Sequence, residues 1–153
     1  MVHHRSRLPA LIILVALLAF GSGMVLARRG NANDARLHDL TRLQADATAP
    51  TAHADAWDRY GQALQAAGRL PDAIIAFDQA LKLNTYDRDA RLGGASCRAR
   101  LGHAQSFYDF MLATNRVDPK TSQAIFSRPE AMPYLGEPRF QTLKFEADSG
   151  AAD

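Results

Sequence analysis

Residues 54–87 read ADAWDRYGQALQAAGRLPDAIIAFDQALKLNTYD, and this stretch decides the fold. It divides into two helices. The first, over 55–67, carries Trp57, Tyr60, Gly61 and Leu64 on one side. Gly68 follows, the residue that most easily takes the left-handed conformation closing a helix. Pro71 then suits the first turn of the second helix, where its missing N–H costs nothing. That helix places Ala73, Phe77, Ala80 and Leu81 at i, i+4, i+7 and i+8, one apolar face. Large residues alternate with small ones, so the two faces can interlock. Gly61 costs a helix about 1 kcal/mol relative to alanine, and its expected return is the close approach of a neighbouring helix. Trp57 is expected between the two helices.

This stretch resembles the tetratricopeptide repeat, a helix-turn-helix unit that stacks on its neighbours. The resemblance rests on Trp57, Tyr60, Gly61, Leu64, Ala73, Phe77 and Ala80, which stand at the family's spacings. Thr85 replaces the family's closing proline. Shifting by the repeat length brings Gly68 onto Gly102, Thr85 onto Pro119, Phe77 onto Met111 and Gly61 onto Ala95. Residues 88–121 therefore read as a divergent second repeat. The departures are Arg91 for Trp57, Gly94 for Tyr60 and Phe107 for Ala73, with the Gly93-Gly94 pair expected to weaken the first helix.

Outside the repeats, residues 33–46 (NDARLHDLTRLQAD) read as a helix capped by Asn33, with Leu37, Leu40 and Leu43 in a narrow stripe. Residues 47–53 (ATAPTAH) read as a linker. After the repeats, 121–127 could start a further helix, which Pro129 and Pro133 keep short. Residues 137–146 form a short helix with Pro138 in its first turn and Phe140 and Leu143 turned inward. Two repeats are few for a solenoid, so 122–146 is expected to cap the stack and 147–153 to be disordered.

Residues 8–27 (LPALIILVALLAFGSGMVLA) carry no charge, and at 1.5 Å per residue they span about 30 Å, a bilayer's hydrocarbon core. They read as a transmembrane anchor behind a tail at 1–7. A cleaved secretory signal is the alternative, with Arg5 and Arg7 before the apolar run and Val25 and Ala27 at cleavage-site spacing. Arg28 and Arg29 after the span nearly balance the positive-inside rule. A short tail before a large C-terminal domain favours a translocated domain, periplasmic if the membrane is a bacterial inner membrane. The expected architecture is all-α: one transmembrane helix, a juxtamembrane helix and linker over 28–53, a short hairpin stack and a capping tail.

The 153 residues carry a net charge of +2, but four of the 18 basic residues flank the apolar run and no acid does. The remainder of the chain is slightly acidic, which excludes a nucleic-acid-binding stripe. Cys97 is the only cysteine and falls mid-helix, where a buried small hydrophobe is expected. His3, His4, His38, His53 and His103 form no HExxH or CxxCH, and no phosphate-binding GxxxxGK[ST] occurs. Ser127 and Ser149 lie in no nucleophile context. The sequence offers no catalytic residue, metal ligand or cofactor site.

The resemblance implies a concave groove lined by the first helix of each repeat, holding an extended peptide or a partner helix. Its residues would be Asp55, Asp58, Gln62 and Gln65, then Asp89, Leu92, Ser96 and Arg100. A solvated helix face fits the same residues. Some relatives clamp a C-terminal carboxylate with lysine and asparagine here, and Asp58 and Gln62 in those places argue against that ligand. Two functions follow as expectations. One is a membrane-anchored scaffold or accessory subunit of a membrane complex. The other is a periplasmic assembly chaperone similar to the repeat modules of cytochrome c maturation. A small membrane enzyme, lacking any catalytic constellation, is the weakest reading.

Overall fold

The computed structural model describes residues 36–150. Tail 1–7, the anchor expected at 8–27 and the cap expected at Asn33 lie outside the described residues. Among the described residues no helix is long and apolar enough to cross a membrane. They form seven α-helices and one 3-10 helix, with no strand. Helix α1 covers 36–48. It is followed by α2 (Ala54–Ala66), α3 (Leu70–Leu83), α4 (Arg88–Leu101), α5 (Ala104–Val117), α6 (Pro119–Phe126), the 3-10 helix (Pro129–Tyr134) and α7 (Pro138–Gly150).

The helix ends follow local chemistry. Gly68 and Gly102, one repeat length apart, both take positive φ, 77° and 70°. At Gly68 the chain closes with paired bonds, Gly68 N–H to the Gln65 carbonyl (3.0 Å) and Arg69 N–H to that of Leu64 (2.9 Å). Asp87 caps α4 by accepting from the Ala90 N–H at 3.0 Å, and Asp118 caps α6 by accepting from that of Thr121 at 3.1 Å. The linker is shorter than expected. Helix α1 runs on through residue 48, and Ala47 is fully packed.

Two apolar clusters hold the stack. Leu64, Ala73, Phe77, Ala80, Ala90 and Cys97 form the first, with Leu40, Trp57 and Tyr60 packed at its edge. Phe107, Tyr108, Met111, Ile125, Phe126, Tyr134, Phe140 and Leu143 are the large residues of the second. Helix α4 is the wall between them: Ala90 and Cys97 face one cluster, Ala95 and Ala99 the other. A helix packed on both sides has little room for long side chains, which accounts for the run GGASC at 93–97. Gly93 is thus a packing requirement more than a weakness. A Cβ there would collide with the Phe77 ring, as would one at Gly61, 2.8 Å from two ring atoms.

Trp57 is half-buried, at the edge of the first cluster and not sealed between α2 and α3. Its ring and that of Tyr60 lie 6.4 Å apart. Phe77 is the residue that fills the centre. Arg91, one repeat after Trp57, is buried instead by hydrogen bonding. Its guanidinium donates to the Thr85 carbonyl (2.6 and 3.1 Å) and to the Thr114 hydroxyl (3.2 Å). The residue in the tryptophan position thereby ties down the residue in the proline position.

The C-terminal tail is part of the core. Phe107 stacks on Tyr134 with centroids 4.7 Å apart, and Phe126 meets Phe140 edge-on at 4.9 Å. Tyr108 donates its hydroxyl to Glu137 Oε2 at 2.6 Å. Burial and that carboxylate both push the phenol's pKa up. Helix α7 continues to Gly150 with Ala147 buried, so 147–150 do not form the disordered tail expected there.

Candidate binding face on α2 and α4

Asp55, Asp58, Gln62 and Gln65 recur every three or four residues along α2, which puts them on one face. Asp89, Leu92, Ser96 and Arg100 do the same on α4. The two rows meet at one point: Gln65 donates its amide to Ser96 Oγ at 3.3 Å. Ser96 in turn donates to Glu130 Oε1 at 2.9 Å.

Glu130 belongs to the 3-10 helix, so the tail lies across part of this face. Tyr134 of the same segment donates its hydroxyl to the Ala99 carbonyl at 3.2 Å. Ser96 is consequently buried, and Leu92 packs against the second cluster. Of these two residues, expected in an open groove, Ser96 is covered by the chain's own C-terminal segment and Leu92 is half-buried against the second core. The Glu130 carboxyl is held below its ordinary pKa by its own backbone N–H against the opposing effect of burial, and by the Ser96 hydroxyl, Arg128 and Arg100. Asp55, Gln62, Asp89 and Arg100 remain exposed and Gln65 is half-buried.

Asp58 is the unusual member. It is only 7% exposed. Gln62 donates to its Oδ2 at 2.6 Å, while Oδ1 is buried without a hydrogen-bond partner. Burial first, then the negative charges of Asp87, Asp89 and Asp55, together raise its pKa to about 6 against the opposing Gln62 bond. Four carboxylates thus gather where α2 and α4 begin. Asp87 was not among the residues read as groove-lining. Its place immediately before a helix was the available signal, since a capping aspartate is fixed near the next helix's first turn.

The sequence also hid a partly buried ion pair between α3 and α4. Arg98 of α4 donates to both oxygens of Asp78 on α3, at 2.8 and 2.9 Å, and to the Gly94 carbonyl at 3.2 Å. Its guanidinium lies 4.2 Å from the Phe110 ring centroid. This pair locks α3 to α4 and takes Arg98 out of any binding role.

No group of His, Cys, Asp or Glu among the described residues could hold a metal ion. Cys97 is fully buried, and burial pushes its thiol's pKa up, the opposite of what a nucleophile requires. The exposed groups of the expected face are the carboxylates of Asp55 and Asp89, the amide of Gln62 and the guanidinium of Arg100.

No curated protein matches the chain, and no solved structure does. One family model does match, over the helix pair α2–α3 and the turn that follows it, and it supports that family for the first hairpin: residues 54–87 are similar to the tetratricopeptide repeat.

Proposed function

We propose that this protein is a non-enzymatic interaction scaffold or accessory subunit, anchored to a membrane by residues 8–27, with its helical stack presenting the α2–α4 face to a protein partner. The observation that carries the reading is the repeat match at 54–87. Repeats of this family bind protein partners or peptides, and here the α2–α4 face offers exposed acids and amides over one half of its length. Helices α4 and α5 follow α2 and α3 at a constant offset, which supports reading 88–121 as a second repeat. The tail then serves as the cap that two repeats need.

Membrane anchoring rests on the apolar run at 8–27. Carbonate extraction tests the anchor: the full chain stays in the membrane pellet if 8–27 is retained, and release into the supernatant overturns it. Purification in mild detergent tests the scaffold: a partner is expected in constant stoichiometry. A chain that comes through alone contradicts the subunit reading.

A further inference from the structure

We infer that the acidic end of the α2–α4 face is a receptor for the guanidinium of an arginine side chain carried by an extended partner peptide, with Asp58 as its principal ligand. The inference rests on the interaction-module reading above and names the chemistry that module selects. Asp58 is more than nine-tenths buried, yet its Oδ1 lacks a hydrogen-bond partner. A buried carboxylate oxygen without a donor is costly, so it needs a reason to persist. The other oxygen is served by the amide of Gln62, an exposed residue whose side chain can swing aside. Gln62 thus occupies the place a cationic donor would take.

The surroundings select the sign of the ligand. Asp55 on the same helix, Asp87 at the cap of α4 and Asp89 in its first turn all act on Asp58 with negative charge. An anionic group would be repelled. A bare metal ion is disfavoured, because these acids form no metal-holding group. A guanidinium fits better than an ammonium. Once Gln62 swings aside, one arm of the guanidinium's planar fork can donate to Asp58 Oδ2 while its other N–H groups point toward the exposed Asp55 or Asp89, a spread that a point-like ammonium lacks. Binding requires Asp58 ionised. With a pKa near 6 the ionised fraction rises about 10-fold between pH 5 and pH 7, and affinity should follow.

The test uses the full chain in detergent and a bead library of random dodecapeptides. The retained peptides are expected to be enriched in arginine. The best of them should bind about 10-fold more weakly when its arginine is replaced by glutamine, when Asp58→Asn is introduced, or at pH 5 rather than pH 7. The double variant Asp55→Asn with Asp89→Asn changes only exposed side chains and should weaken binding several-fold. Retained peptides without arginine enrichment, or bound equally by Asp58→Asn, overturn the guanidinium site and leave the interaction module standing. Enrichment in lysine alone overturns the choice of guanidinium. Retention of no peptide overturns the site together with the extended-peptide form of the module.

Discussion

The ring of Phe77 lies directly on the backbone of Gly93, so that no side chain of any size fits between α3 and α4 at that point. The same ring touches Gly61 on α2. Phe77 is therefore held between two glycines from two different helices, and this contact fixes how the first hairpin meets the second.

Alanine at Gly93 should destabilise the protein. Overpacking a core costs about 1–3 kcal/mol, set against a gain of about 1 kcal/mol from helix propensity. Gly94→Ala is the control, since its Cβ would meet only the end of Arg98 and the edge of Phe110, both at 3.2 Å. Urea melts should show Gly93→Ala clearly less stable than Gly94→Ala. A stabilised Gly93→Ala would mean the glycine is only a weak point in the helix.

Truncation of the aromatics should rank them by depth. Phe77→Ala is expected to cost about 3–5 kcal/mol, and Trp57→Ala, at the half-buried edge, about 2 kcal/mol or less. Equal losses in thermal unfolding would contradict the central placement of Phe77.

Removing Asp78 strands a charge. Arg98 is buried and Asp78 takes two of its hydrogen bonds, so Asp78→Ala should cost about 1–3 kcal/mol. Pairing it with Arg98→Met should recover much of that loss, measurable as a coupling energy in a double-mutant cycle.

Asp58 makes stability depend on pH in an uncommon direction. Its pKa is raised from 3.8 to about 6, so the folded state holds this proton more tightly than the unfolded chain does. The stabilisation from protonation is full below about pH 4 and lost as pH rises through 6, a difference of about 2–3 kcal/mol. Asp58→Asn should raise the melting temperature at pH 7 and leave it nearly unchanged at pH 4. A flat difference between wild type and variant across that range would contradict the burial of this carboxylate.

The features legible in the sequence are those with local causes. Gly68 and Pro71 punctuate the first hairpin, and Pro138 opens α7, because backbone chemistry acts within a turn or two. The partner of Phe77 was not legible. Alignment by repeat length sets Gly61 opposite Ala95, while the ring reaches Gly93, two residues earlier. Nor could the covering of Ser96 be read, since Glu130 approaches it from a segment without helical periodicity. Arg91 looked like a loss of packing beside Trp57; its hydrogen bonds to Thr85 and Thr114 exist only once α4 and α5 are in place. On the candidate face, the spacing of the acids placed them together, but the depth of Asp58 depends on tertiary burial.

Docking of a partner on the α2–α4 face, as proposed above, is open to direct capture. A photo-crosslinking residue placed at Gln62 on that face, and in a separate protein at Lys144 on α7, tests it most directly, since both positions are exposed. A distinct protein adduct from position 62 with none from 144 is the predicted result. Identical adducts from both positions, or an adduct from 144 alone, would contradict it.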